Sequence, residues 1–328
     1  MPIADHAAAP ARSREERWPH LPLAEWADTR DTLHMWTQIV GKLKVELAPF
    51  QNQLWHTALH LTARGLTTQP MPYGGGAVQV DFDFIDHNLA IATSDGGRKL
   101  IPLYPRSVAH FYDETMACLA ALGIDVRINT MPQELPDPIP FGEDTIHASY
   151  DPHAVNRWWT ICTSTARVMG DHRAWFRGKA SPVHWFWGSF DLTATRHNGD
   201  RCEPPPDSGF IYRVAEDEKN WAAGFWPGSG PVDDPAFYTY MYPQPDGLPE
   251  ASIAPDAAFW SAEMREFLLP YDAVRTADDP EGALLNSCKA PMPSAPTSPV
   301  GTARGWSTRR FRNRADDTEC RCSLPSRR

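Results

Sequence analysis

Residues 76–84 read GAVQVDFDF, with Val78, Val80, Phe82 and Phe84 alternating with Gln79, Asp81 and Asp83. A period of two buries one face of a strand and leaves the other to water, the pattern of an antiparallel sheet covered on one side. NLAIATS (88–94) and AFYTYMY (236–242) carry further strand signals, as do LWHTALHLTARG (54–65), IDVRIN (124–129), SPVHWFWGSFDLTATR (181–196) and NWAAGFWPG (220–228). Between them lie segments with helical spacing. Leu33, Trp36, Ile39, Val40 and Leu43 predict a helix from Thr29 to Leu47, capped by Asp28 or Thr29 and stopped by Pro49. Further helices are predicted over 105–123, ending at Gly123, and over 151–176, with Asp151 as N-cap and Pro152 at the first position. Residues 255–271 predict another. The fold class is α+β: a mostly antiparallel sheet flanked by helices.

The order of elements repeats. HLTARG (60–65) parallels DLTATR (191–196), and HFYDETMACLAALG (110–123) parallels AFWSAEMREFLLPY (258–271). The domain plan is therefore two pseudo-repeated halves, 18–130 and 151–285, joined by a Pro-rich connector over 131–150. Residues 1–17 read as a disordered lead-in. The 328 residues suffice for a sizeable core, and 42% hydrophobic with 22% charged residues suit a soluble globular protein. No apolar run approaches the ~20 residues of a membrane span, and no secretory leader is evident, so a cytoplasmic location is expected. The six cysteines form no C-x-x-C pair, and no metal site is expected.

The net charge of −10 is unevenly spread. Residues 286–328 hold nine basic residues (Lys289 and eight Arg) against Asp316, Asp317 and Glu319, leaving 22 basic and 38 acidic groups elsewhere. So acidic a body repels a phosphate backbone, and no nucleic-acid partner is expected.

Candidate site residues follow from the strand patterns. On 54–65, His56, His60 and Arg64 share one face and Trp55, Leu59 and Leu61 the other. The imidazoles of His56 and His60 would stand ~13 Å apart on a strand, too far to share one metal ion. Asp81 and Asp83 would join them if the two strands pair, giving a cluster able to move protons. On 181–196, His184, Phe186, Phe190 and Leu192 are assigned to the core. Trp185, Trp187, Asp191 and Thr193 then form a face that begins aromatic and turns polar. Trp226, with Trp221, Tyr238, Tyr240 and Tyr242, extends this wall on neighbouring strands. Apolar walls with a few convergent polar groups describe a small-molecule pocket. Burial of the two tryptophans under the 151–176 helix is the competing reading.

Taken together, HLTARGLTT (60–68), VDFDFIDH (80–87), FRGKASPVHWFWGSFDLTATR (176–196), GFWPG (224–228), FYTYMYPQPDG (237–247) and EFLLPYDAVR (266–275) resemble a bacterial family known as domain of unknown function 5996. The resemblance covers about residues 18–285 and implies no reaction. It adds Glu218, which coincides with a Glu just ahead of GFWPG in similar proteins. It breaks after Leu285, where similar proteins continue in an apolar helix and this chain turns basic and Pro-rich. One back-translation of Asn286–Met292, read two bases later, encodes Phe-Leu-Gln-Ser-Thr-Tyr. Residues 286–328 are thus read as a frameshifted tail. The functional expectation is a small molecule bound on the aromatic and polar sheet face, with acid–base or hydrolytic chemistry. The cofactor is left unknown; the lack of a dinucleotide fingerprint favours such chemistry over redox chemistry. The alternative is a non-catalytic interaction protein that oligomerises through its aromatic surface.

Overall fold

The computed structural model describes residues 12–229 and 232–289. Helices are α1 (Arg14–Arg17), α2 (Ala27–Leu47), α3 (Val108–Ala121), α4 (Pro152–Ala174), α5 (Phe210–Ala215), α6 (Tyr271–Arg275) and α7 (Pro280–Ser287). Strands in the first part of the chain are β1 (Leu59–Leu61), β2 (Gly65–Thr67), β3 (Met71–Tyr73), β4 (Gly76–Asp83), β5 (Asn88–Thr93) and β6 (Arg98–Pro102). Those in the second part are β7 (His184–Phe186), β8 (Asp191–Arg201), β9 (Glu218–Trp226), β10 (Ala236–Tyr242), β11 (Phe259–Ser261) and β12 (Glu266–Pro270). All twelve strands join one antiparallel sheet in the order β11-β12-β10-β9-β8-β7-β1-β2-β4-β5-β6, with β3 also beside β4. The two parts of the chain meet where β1 pairs with β7, Leu59 opposite Trp185 and His60 opposite His184.

Alternation places the core on one face. Leu59, Trp185, Leu192, Phe225, Phe237 and Leu269 lie in register across six strands, and all are buried. Leu61, Leu66, Phe82, Leu89 and Ile101 continue that face on the other side. Helices cover it: Trp158 of α4 meets Trp185 edge-on at 5.0 Å, and Phe111 of α3 stacks on Trp36 of α2 at 4.5 Å. Asp151 caps α4 as expected, accepting from the His153 amide at 2.8 Å, with Pro152 at its first turn. Helix α2 carries Gly41 at its centre because a Cβ there would lie 2.2 Å from the Trp187 ring.

Four sequence expectations are corrected. Residues 54–65 are not one strand. Asn52–Thr57 is a 3-10 segment with Gln53 and Leu54 at φ of 50° and 59°, which no strand admits, and Gln53 is held there by its 2.6 Å bond to Asp217. Thr62 Oγ1 then accepts from the amides of Arg64 and Gly65, turning the chain between β1 and β2. Residues 181–196 break after Phe186, with Phe190 at φ 59°. His34 of α2 fixes this turn, its Nε2 donating to the carbonyls of Trp187 and Gly188 at 2.9 Å.

The break inverts the expected faces: Trp185 and Leu192 share the core face, while Phe186 stands on the face of Asp191 and Thr193. Residues 124–129 form no strand. Residues 255–271 fold as the β11–β12 hairpin: the consecutive Phe267, Leu268 and Leu269 are all buried on a strand paired on both sides, by β11 and β10, and Arg265 adopts φ 58°. The second of the two repeat matches therefore equates helix α3 with a hairpin, and that match gives duplication no support.

The last residues of the lead-in also have structure. Helix α1 has a capping box between Ser13 and Glu16, and Arg17 pairs with Glu281 in the first turn of α7 at 2.5 Å. Residues 1–11 lie outside the described residues, as does the tail from 290 onward. Among the described residues, no helix is long and apolar enough to cross a membrane.

Candidate functional site

The sheet face opposite the core carries the other half of each alternation. Phe186 of β7, Asp191, Thr193 and Thr195 of β8, Trp226 of β9, Tyr238 and Tyr240 of β10 and Glu266 of β12 line one cavity of about 420 Å³. Its rim comes from elsewhere: Arg30 and His34 of α2, Glu134 and Leu135 of the connector, and Gly188 and Ser189 of the β7–β8 turn.

Two glycines shape it. Gly224 sits opposite Tyr238, and a Cβ on it would lie 2.2 Å from that ring. Its absence lets Tyr238 lie across β9 and reach Asp191, to whose Oδ2 the hydroxyl donates. At the mouth, a Cβ on Gly188 would lie 2.6 Å from Glu134 Oε1, so only glycine admits that carboxylate. Glu134 is brought in because the preceding Gln133 exchanges two bonds with the Gln38 side chain of α2, at 2.8 and 2.9 Å.

Three carboxyl groups therefore face one space. Asp191 is 7% exposed and accepts from the hydroxyls of Ser189 and Tyr238. Burial raises its pKa, and the two hydrogen bonds only partly oppose this. Glu266 is half-buried, and burial followed by the charge of Asp191 pushes it up to about 8. Glu134, at the exposed mouth, is raised less and for the same two reasons. Neither Glu134 nor Glu266 accepts a hydrogen bond from any described residue. His34 is driven down to about 4, chiefly by burial, and stays neutral at pH 7. Burial also lifts the Tyr238 and Tyr240 phenols well above their ordinary value, so both remain protonated donors.

The residues expected from sequence fall in several places. Asp191 and Trp226 line the cavity, with Tyr238 and Tyr240 beside them. Trp185 and Trp187 do not. Trp185 is fully buried between α4 and the sheet. Trp187 is 8% exposed, packs on Gly41 and donates to the Thr57 carbonyl at 2.8 Å. A mating surface built on these two rings would need both outside, and both are inside.

His60 stands on the polar face 6.2 Å from the ring of His184, neither of whose nitrogens has a hydrogen-bond partner among the described residues. His56 lies in the 3-10 segment, accepts from the Gln51 amide and packs on Phe50. Arg64, half-exposed at the turn between β1 and β2, bridges Asp83 at 2.6 Å and Asp86 at 2.7 Å. Asp81 is bound by the Gln79 amide at 2.8 and 3.0 Å. Glu218 pairs with Lys179 at 2.6 Å and accepts from the Gly199 amide at 3.0 Å. Among the described residues no group of three or more His, Cys, Asp or Glu side chains could hold a metal ion.

Sequence reasoning missed Glu134 and Glu266. One lies in a connector without periodicity, the other in a segment whose spacing mimics a helix. The Gly224–Tyr238 pairing was the available signal, since a glycine within a strand marks a close approach.

A search of curated proteins and a search of solved structures each return no match. A family model described as a family of unknown function, DUF5996, matches residues 18–294. The blocks that suggested this resemblance all lie within that span, and the chain belongs to the DUF5996 family.

Proposed function

We propose that the cavity on the polar sheet face binds a small organic molecule and exchanges protons with it. The observation that carries this reading is Asp191. It is nine-tenths buried, is held by two neutral hydroxyls, has no cationic partner among the described residues, and opens onto a cavity with two further carboxyl groups. Buried charges in folded proteins are ordinarily paired, and leaving one unpaired costs several kcal/mol in order of magnitude. A fold that keeps such a group beside Trp226, Phe186 and two tyrosines retains it for a partner from outside.

The chemistry favours acid–base or hydrolytic steps. Glu266, held up to about 8, carries a proton at neutral pH and serves as a general acid. Asp191 then serves as the acceptor or as the anchor of a ligand hydroxyl or amine. Two carboxyls in unlike environments support opposite roles.

A thermal-shift screen of a metabolite library against the full chain and its Asp191→Asn variant tests this. The expected result is a compound class that raises the melting temperature of the wild type and not of the variant, with both proteins folded to the same oligomeric state. Equal shifts in both proteins, or none in either, would overturn the reading.

A further inference from the structure

The same cavity supports a narrower inference, which rests on the reading just given. We propose that its ligand is an organic cation of the amine or ammonium type, held between carboxylates and aromatic rings.

Charge is the first argument. The groups facing the cavity are Arg30 and His34 from α2, Glu134 from the connector, Asp191 from β8, Tyr238 and Tyr240 from β10, and Glu266 from β12. Among the described residues of this lining Arg30 is the sole cationic side chain, and it is paired with Asp31 at 2.9 Å. His34 is neutral and its Nε2 is committed to two carbonyls. Behind Tyr240, Glu216 adds another carboxyl rather than a counter-charge. An anionic ligand would meet the buried Asp191, with Arg30 already paired and two further carboxyl groups beside it. A neutral polyol would find hydrogen-bond acceptors but would leave Asp191 without a counter-ion. A bare metal ion lacks a ligand set among the described residues.

The walls are the second argument. Trp226, Phe186 and the Tyr238–Tyr240 pair, stacked at 6.2 Å and 18°, supply π-systems that attract a desolvated cation and add nothing for an anion. A cavity of about 420 Å³ also has room for an organic body around the charge.

A linked consequence separates this ligand class from others. A cation favours the ionised carboxylates, so its binding expels protons from Glu266 and Glu134, both raised toward or above neutrality in its absence. Affinity therefore rises with pH up to about 8, where Glu266 is itself ionised.

The test is isothermal titration of the full chain with three cations and their uncharged analogues. The pairs are choline with 3,3-dimethylbutan-1-ol, 1,4-diaminobutane with 1,4-butanediol, and benzylamine with benzyl alcohol. Each is run at pH 6 and 8 in phosphate and in a zwitterionic sulfonate buffer, MES at pH 6 and HEPES at pH 8, so that proton release is read from the buffer heat. The expected result is at least one cation binding about tenfold or more tightly than its analogue, with proton release and tighter binding at pH 8. Glu266→Gln should cut proton release and weaken binding several-fold, and Tyr212→Phe, outside the cavity lining, should change neither. If no cation binds while a neutral or anionic compound from the thermal-shift screen does, the cation inference fails and the small-molecule reading stands. If nothing in either set binds, both fail.

Discussion

The two faces of the sheet are built from the same strands and reach opposite solutions. Along β7 to β12 one face presents Trp185, Leu192, Phe225, Phe237 and Leu269 to helices, dry and continuous. One residue on, the other face presents Phe186, Asp191, Tyr238 and Glu266 to a cavity. The first face is explained by folding alone, because apolar area removed from water stabilises at about 25 cal/mol per Å². The second carries carboxyl groups that folding would discard. The difference shows where to look for function in this molecule: the residues that stability does not require.

The comparison breaks if the core face proves dispensable. Trp185→Ala should cost about 3–5 kcal/mol in urea unfolding, the usual penalty for emptying a large aromatic site. Trp226→Ala, on the half-buried cavity wall, should cost far less.

Two glycines sharpen it. Gly41→Ala and Gly224→Ala each place a methyl 2.2 Å from an aromatic ring, and each should cost about 1–3 kcal/mol. Only Gly224→Ala should also abolish ligand-induced stabilisation, since it drives Tyr238 away from Asp191, whereas Gly41→Ala perturbs Trp187 inside the core.

Acid stability separates the buried histidines from the cavity carboxyls. Burial holds His184 and His172 down to about 3, and His34, His60 and His197 to about 4. With folded values below the ordinary 6.5, their contribution is fully present above pH 6.5 and is lost as pH falls toward 4. His184→Phe removes the ring whose two nitrogens have no hydrogen-bond partner among the described residues. It should make the protein about 1–2 kcal/mol more stable than wild type at pH 5 by chemical denaturation.

The smallest effect has the opposite slope. Glu266 binds its proton more tightly when folded, so its contribution is lost as pH rises from about 4.5 to 8. Glu266→Gln should match wild type near pH 4.5, then gain steadily to about 1 kcal/mol by pH 9, a figure reduced for partial exposure.

How far these features are legible in sequence depends on whether they are local. The alternation of Val78, Val80 and Phe82 and the Asp151-Pro152 start of α4 need only neighbouring residues, and both are as expected. The reading of 54–65 as a strand fails because side-chain periodicity says nothing about φ, and Gln53 is locked by a residue 164 positions away. Asp191 and Trp226 were legible as polar and aromatic positions on candidate strands. Trp185 and Trp187 were placed on the wrong face because the turn at 187–190 is fixed by His34 from a distant helix. Glu134 and Glu266 join Asp191 only through the order of strands and the docking of the connector, which no local pattern encodes.

The contrast between a dry face and a titrating cavity can be read directly by fluorine NMR of the full chain with its 13 tryptophans replaced by 5-fluorotryptophan. Resonances are assigned by single Trp→Phe variants and followed from pH 6 to 9. The account predicts that Trp226 titrates with a midpoint near that of Glu266, about 8, and that Glu266→Gln removes most of the change. Trp185 and Trp158 should stay flat. A Trp226 resonance that does not move, or a Trp185 resonance that moves with it, would contradict the division between the two faces.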